Sequence, residues 1–489
     1  MSREDEIIKE RLKKLEELKK HKINPYPHNF EKKNSLNECK KSKLKTKVAT
    51  AGRIITIRDF GKISFAKIQD SNGEMQIVFQ EKETPKEHHE FFKKYIDTGD
   101  FVGIQGQIIK TKTGEISILV KKLELLSKSI LPLPDKWHGL QDKEERYRKR
   151  YLDLIMNPQV KKVFEKRSKI IDIIKEFLKK QNFLEVEIPA LQTLYGGAEA
   201  RPFKTHLNSL NINLYLSISP ELYLKRLIVG GYEKVFTICK NFRNEGIDKW
   251  HNPEFTMLEL YQAYADYNDM MKLFENLVEY TAKQINKTTK VNIQGQEIDF
   301  KTPWKRITMS DAIKQFAKVD VKKLSEKELK KIIDKEKIQV KGHSWGYYVA
   351  ALFEHFCEAK IIQPTFIIDH PLETTPLCKM HRKDPECRLI ERFEPFCLGT
   401  ELGNAYSELN DPIKQRELLE QQQQLLIKGK EEANPLDEDF LNALEHGMPP
   451  TGGLALGIDR LIILLTQQSS IKDVILFPFM KPEVSEEKK

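Results

Sequence analysis

The sequence predicts an α+β protein in which a small all-β barrel precedes a larger domain that mixes strands and helices. Three observations point there. From Val48 to about Leu126, short apolar strands alternate with turn signals, among them Asn72-Gly73 and Thr113-Gly114. Near the C-terminus, Gly452, Gly453, Leu454, Ala455, Leu456 and Gly457 form a glycine-rich strand that leads into the apolar helical stretch Leu461 to Leu465. Backbone stripped of Cβ atoms lets a ligand come close. Between these regions, Phe242 to Tyr261 reads as a nucleotide-binding hairpin around a polar turn, with Arg243 and Glu245 two apart and therefore on one face of a strand. Taken alone, that Arg/Glu pair near a strand end reads as a salt bridge, and the rest of the chain changes that weighting.

In chain order, Arg3 to Lys20 forms an amphipathic helix with Ile8, Leu12, Leu15 and Leu18 on one side and lysines on the other. Such a stripe packs on its own protein, and the lysines could touch RNA backbone. Asn24-Pro25-Tyr26-Pro27 ends the helix, and a Lys-rich linker leads to Val48. The strands that follow have the number and spacing of a five-stranded OB barrel. In Lys62 to Ile68, Ala66 and Ile68 facing the core would leave Phe65 outside beside Lys67, a stacking platform for a base. A register shift of one residue would bury Phe65 instead. Arg58 and Gln76 fall on neighbouring strands, and Glu115 follows a turn. Leu131-Pro132-Leu133-Pro134 is a stiff joint, after which a Glu/Arg-rich helix from Lys143 to Tyr151 opens the larger domain. A further amphipathic helix ends at Phe183, and the chain passes through Val186 and Ile188 to Pro189, which a central strand would not accept.

With 489 residues, a net charge of +10 and 31% charged residues, the chain is large and basic. That balance suits a polyanionic partner without requiring one. Six cysteines without a Cys-x-x-Cys pair point to free thiols in a reducing compartment. Cys378, His381 and Cys387 lie close together, but their spacing fits no standard zinc pattern, and no structural metal is expected there. No apolar run reaches the length of a membrane span, and the acidic start Glu4, Asp5, Glu6 is wrong for a signal peptide, so a cytoplasmic protein is expected. Neither Gly-x-Gly-x-x-Gly nor a P-loop occurs, which removes support for a doubly wound nucleotide fold.

Phe183 to Leu191, Phe242 to Tyr261 and Gly452 to Leu465, in this order, resemble the three signature motifs of class II aminoacyl-tRNA synthetases. The residues between them resemble the bacterial-type lysyl members over nearly the whole chain. The resemblance implies a class II antiparallel sheet flanked by helices and preceded by an OB fold. The expected domains are a basic helical extension at 1–46, an OB anticodon-binding domain at 47–130, a linker at 131–150 and a catalytic domain at 151–489. It also implies a homodimer through the first motif, ATP and Mg2+ as nucleotide and metal, and L-lysine and tRNA(Lys) as substrates.

Residue by residue, the resemblance makes Arg243 the bridge between lysine's carboxylate and the α-phosphate, as a forked cation can be. Glu245 and His251 are ATP contacts, and Phe255 and Arg460 enclose adenine, which gives Arg243, Glu245 and Arg460 as the catalytic set. Glu394 and Glu401 are the magnesium ligands. Glu259, Tyr261 and Glu408 receive the ε-ammonium, Glu221 and the Gly197 backbone receive the α-amino group, and Asn404 and Tyr406 line the same site. Arg58, Phe65, Gln76 and Glu115 match the set that reads the central anticodon base. Two acids suit a cationic side chain and disfavour the aspartyl and asparaginyl relatives.

Two positions depart from the family pattern. Asn182 stands where Gly is usual, and asparagine tolerates the positive φ such a turn needs. Ala455 replaces a common Gly, as in the related lysine ligase that modifies elongation factor P. That ligase and a catalytically silent tRNA-binding paralogue are the alternative readings.

Overall fold

The computed structural model describes residues 2–134, 140–384, 386 and 388–483. Helix α1 (Arg3–Lys20) starts in a capping box in which Ser2 and Asp5 satisfy each other's N–H groups. Its ends agree with the periodicity, and its packed face agrees at Leu18 and at the half-buried Ile8 and Leu15, but not at Leu12. Leu12 is 44% exposed, whereas Arg11 and Leu18 are buried. Arg11 donates to the carbonyls of Thr98 and Leu131, each at 2.9 Å, and Lys14 pairs with Asp97 at 2.7 Å. Long basic side chains with apolar stems can serve as a packing face. A short helix α2 (Leu36–Lys41) occupies part of the expected linker, capped by Ser35 and Glu38, with Leu36 and Cys39 in the barrel core.

Strands β1 (Lys47–Asp59), β2 (Ile63–Asp70), β3 (Gly73–Gln80), β4 (Phe101–Lys110) and β5 (Ile116–Ser127) close in the order β1-β2-β3-β5-β4, with β4 returning to β1. Helix α3 (Lys86–Tyr95) lies between β3 and β4 in the chain. This is the five-stranded OB barrel. Ala66 and Ile68 are in its core and Phe65 is outside, so the register takes the first of the two placements.

The chain divides into two compact units between Gln141 and Asp142, so residues 142–150 belong to the second unit. The single helix expected over Lys143 to Tyr151 is two, α4 (Lys143–Arg148) and α5 (Arg150–Met156), broken at Lys149. Arg150 turns inward there, donating to Asp153 at 2.7 Å and to the Lys472 carbonyl at 2.8 Å. Helix α6 (Pro158–Lys180) stops before Asn182, which has φ 65°.

The second unit continues with β6 (Leu184–Glu185), a side sheet of β7 (Leu191–Gln192), β8 (Lys204–Leu207) and β9 (Ile212–Leu216), then α7 (Glu221–Val229). The hairpin β10 (Lys234–Phe242) and β11 (Glu254–Ala263) precedes α8 (Tyr267–Asn286) and the pair β12 (Lys290–Ile293) and β13 (Gln296–Asp299). After β14 (Lys305–Thr308) come α9 (Met309–Ala317), α10 (Glu326–Glu336) and α11 (Trp345–Phe356), then β15 (Thr365–Pro371), β16 (Leu389–Cys397), β17 (Thr400–Glu401) and β18 (Gly403–Ser407). Helices α12 (Pro412–Ile427) and α13 (Glu438–Glu445), strand β19 (Thr451–Gly457) and helix α14 (Ile458–Leu465) follow.

The main sheet has the order β14-β15-β16-β18-β19-β11-β10-β6, with β17 on β16. Its pairings are antiparallel except β14 with β15 and β6 with β10. Leu258, Leu260, Leu454 and Leu456 on one face pack with Phe274 and Leu277 of α8 and Leu461 and Leu464 of α14. The opposite face carries the site.

Candidate active site

Because side chains alternate along a strand, the leucines that enter the core commit Glu259 and Tyr261 to the other face. Register then aligns two rows across the sheet. Arg392, Tyr406, Gly453 and Tyr261 are cross-strand neighbours, and so are Asn404, Ala455 and Glu259. Above this floor lies a cavity of about 450 Å³, and all fourteen catalytic-domain residues singled out in the sequence line it.

At one end the acids are buried. Glu259 is 3% exposed and accepts from Ser219 Oγ at 2.9 Å and from the Tyr261 hydroxyl at 3.2 Å. Burial, reinforced by the neighbouring Glu221, pushes its carboxyl up to about 8. Glu221 opens α7, and Lys225 follows one turn later on the same side, where its ammonium ion-pairs with both Glu221 and Glu408. The contact with Glu408 is close but poorly aligned, and neither Glu408 oxygen has a hydrogen-bond partner among the described residues. Glu408 rests on the bare backbone of Gly453, where a Cβ would collide with Glu408 Oε1 and the Tyr261 ring. Gly197, at φ 84°, approaches so closely that a Cβ would stand 2.9 Å from both Glu221 Cβ and Ser219 Oγ. Asn404 donates to the Tyr406 hydroxyl at 2.6 Å and accepts from Arg392 at 3.2 Å.

At the other end the groups are polar and more open. Strand β10 stops at Phe242, so Arg243 and Glu245 do not share a strand face as expected. The turn they enter is polar and lacks the apolar alternation that would extend the strand. Arg243 keeps one ladder bond, its N–H donating to the Pro253 carbonyl at 2.9 Å, while Glu245 is exposed. The Arg243 guanidinium sits 5.2 Å from the Phe255 ring centre, and its Nε is buried without a hydrogen-bond partner among the described residues. Arg460 donates to the Glu401 carbonyl at 2.7 Å and to His251 Nε2 at 3.1 Å, and His251 Nδ1 donates to Asp248 at 2.8 Å. Asp459 fixes this helix start by accepting from Arg167 and from the Thr256 N–H at 2.7 Å.

Glu394 pairs with Arg392, and burial with the nearby Glu394 charge raises the Glu401 carboxyl. Glu358, which sequence reasoning passed over, is pushed up to about 8 by burial and by Glu354, Glu394 and Glu401. No group of three or more His, Cys, Asp or Glu side chains suited to a metal ion occurs among the described residues. Of the zinc candidates, Cys378 is buried, and Cys387 lies outside the described residues. Lys225 and Arg392 were also missed, although each leaves a trace in Glu221–Lys225 helical spacing and Arg392–Glu394 alternation.

On the barrel, Arg58 pairs with Phe65, Lys67 with Gln76, and Gln76 with Ser117, two residues after Glu115. Arg58, Phe65 and Gln76 therefore share one face of the barrel sheet, and Glu115 lies in the turn that leads into β5. Arg58 and Gln76 flank β2 from opposite sides, and Gln76 is buried with its Nε2 donating to Ser117 at 2.9 Å. Phe60, not singled out in the sequence, is 70% exposed and stands edge-on to Phe65 with ring centres 6.1 Å apart.

Residues 142–481 match the family described as class II tRNA synthetases (D, K and N), and residues 48–126 match the OB-fold nucleic acid binding domain. Fold, floor and match together define a class II synthetase with an OB domain. Among curated relatives, the lysine–tRNA ligase of Clostridium novyi is 51% identical over 97% of this chain and 94% of its own length. Those of Fervidobacterium nodosum and Methanoculleus marisnigri are 49% and 47% identical, each over 97% of this chain. The chain belongs to the lysine–tRNA ligase family, whose reaction depends on ATP. Neither alternative reading is favoured by relatives that extend through both domains.

Proposed function

We propose that the chain activates L-lysine with ATP to lysyl-adenylate and transfers the lysyl group to the 3′ end of tRNA(Lys). The carrying observation is the polarity of one cavity, with buried Glu221, Glu259 and Glu408 at one end and Arg243 and Arg460 at the other. Lysine laid along it places its ammonium groups on the acids and its carboxylate on Arg243. A carboxylate oxygen then attacks the α-phosphorus as the bond to pyrophosphate breaks. In the second step a terminal ribose hydroxyl of tRNA attacks the lysyl carbonyl carbon, releasing AMP and the hydroxyl proton. The enzyme orients the reactants and stabilises charge without a covalent intermediate on protein.

Phe255 and Arg460 enclose adenine in this reading, with Glu245 and His251 as further ATP contacts. Glu394 and Glu401 would hold Mg2+, which neutralises the ATP phosphates when bound. A carboxylate such as Glu401, whose proton affinity burial and the Glu394 charge raise, belongs to a donor set that a hard cation relieves. Arg58, Phe65, Gln76 and Glu115 read the anticodon. Exposed Leu184 and Leu191, at 47% and 52%, support a homodimer through the first motif. A cytoplasmic location is supported by the free cysteines, and no described helix is long and apolar enough to cross a membrane. ATP–pyrophosphate exchange measured with every amino acid tests the reading. Lysine alone should drive it rapidly, and faster exchange with aspartate or asparagine would overturn it.

A further inference from the structure

The lysine end of the cavity contains one more cation than substrate recognition requires. Lys225 is fully buried, and its ammonium lies between Glu221 of its own helix and Glu408 beyond β18. A buried ammonium is costly unless paired, and a helical Glu221–Lys225 pair alone would meet that need. The second contact, reaching a carboxylate whose oxygens receive no hydrogen bond from any other described residue, is what local pairing leaves unexplained.

Resting on the lysine reading, we propose that Lys225 is a resident third ammonium of the substrate site, a positioning residue that favours the charged form of Glu221 and Glu408 so that, when lysine enters, the three carboxylates accept both of its ammonium groups. The charge count closes. Three carboxylates and one resident ammonium leave two negative charges, and lysine brings two positive ones. A neutral side chain would leave one buried carboxylate uncompensated, which sharpens discrimination.

The other titratable groups around these acids cannot take over this role. Burial keeps Tyr261, Tyr406, Cys378 and Cys239 protonated and neutral. The two nearby guanidiniums are engaged elsewhere, Arg392 with Glu394 and Arg243 over Phe255. Glu259 and Glu408 are each held up to about 8, chiefly by burial, so the empty site carries protons at neutral pH that an arriving lysine displaces. Without the Lys225 charge, the carboxylates would hold those protons to higher pH.

Calorimetry of lysine binding between pH 6 and 9 tests this with the wild type, Lys225→Met and Lys225→Arg, using ATP binding as the control for an intact fold. Wild-type affinity should rise with pH and level off near about 8. Lys225→Met should bind about tenfold or more weakly at pH 7 and still be gaining affinity at pH 9, a midpoint shift of about one unit. Lys225→Arg should follow the wild type. Weaker binding by Lys225→Met with an unchanged midpoint would reduce Lys225 to a structural pair and overturn the proposal. If Lys225→Met fails to bind ATP, wild-type titrations in two buffers of different ionisation heat decide: release of about one proton or more per lysine at pH 7 supports the proposal, and none overturns it. A wild type that binds another amino acid in place of lysine would overturn the functional reading and this inference with it. Lysine binding that is independent of pH would overturn this inference alone.

Discussion

On the barrel, Arg58, Phe65 and Lys67 lie on the outward side with Gln76 and Ser117 covered beside them, whereas the Arg392–Tyr406–Gly453–Tyr261 and Asn404–Ala455–Glu259 rows lie at the bottom of a cavity. Both surfaces rest on cross-strand register. They differ in burial, and burial determines which interaction carries recognition. An exposed face leaves charges screened, so an aromatic surface such as Phe65 contributes most. On a buried floor a charge can be neither screened nor left unpaired, so carboxylates discriminate.

The largest expected effect is at the floor. Glu259→Gln removes a charge-assisted bond to the substrate ammonium worth about 1.5 to 3 kcal/mol, and more if the ammonium is left half-paired. The lysine KM in pyrophosphate exchange should rise at least about tenfold, and the pH dependence near about 8 should flatten. The sign follows from a raised carboxyl: the acid is protonated below about 8 and ionises above it, so wild-type lysine affinity climbs through that range. Unchanged KM and kcat would remove Glu259 from the site.

Next is the barrel face. Phe65→Ala should lower kcat/KM for tRNA by about 1 to 3 kcal/mol, roughly five- to hundredfold, and spare pyrophosphate exchange. Equal charging of a lysine tRNA transcript by mutant and wild type would break the comparison at this end.

Arg460→Ala falls between the two environments, because its guanidinium is only partly covered while it bonds His251 and the Glu401 carbonyl. Losing a cation–π partner of about 0.5 to 2 kcal/mol should raise the ATP KM several-fold or more and leave lysine binding without ATP unchanged. Calorimetry that shows lysine binding lost and ATP binding kept would move Arg460 elsewhere. The smallest effect is expected at Leu12. Leu12→Ala should change stability within about 0.5 kcal/mol, because the helix packs through Arg11 and Leu18 instead, and a clear drop in Tm would contradict that packing.

Local physics made much of this legible in the sequence. The α1 limits, the barrel's turns and Asn182 at positive φ follow from caps, breakers and backbone sterics within a few residues. The fourteen cavity residues were legible through motif resemblance, and the structure brings them to one place. The Ser35–Glu38 box was also legible locally, although periodicity passes over a helix as short as α2.

What only tertiary structure decided was which of several equivalent local patterns is buried and against what. Leucine periodicity on α1 could not foresee that Arg11 would find carbonyls at Thr98 and Leu131. Likewise, Glu221–Lys225 looks like any helical ion pair until folding brings in Glu408 from far along the chain. A charge acquires its cost and its role from desolvation, and desolvation depends on every element packed around the group rather than on its sequence neighbours.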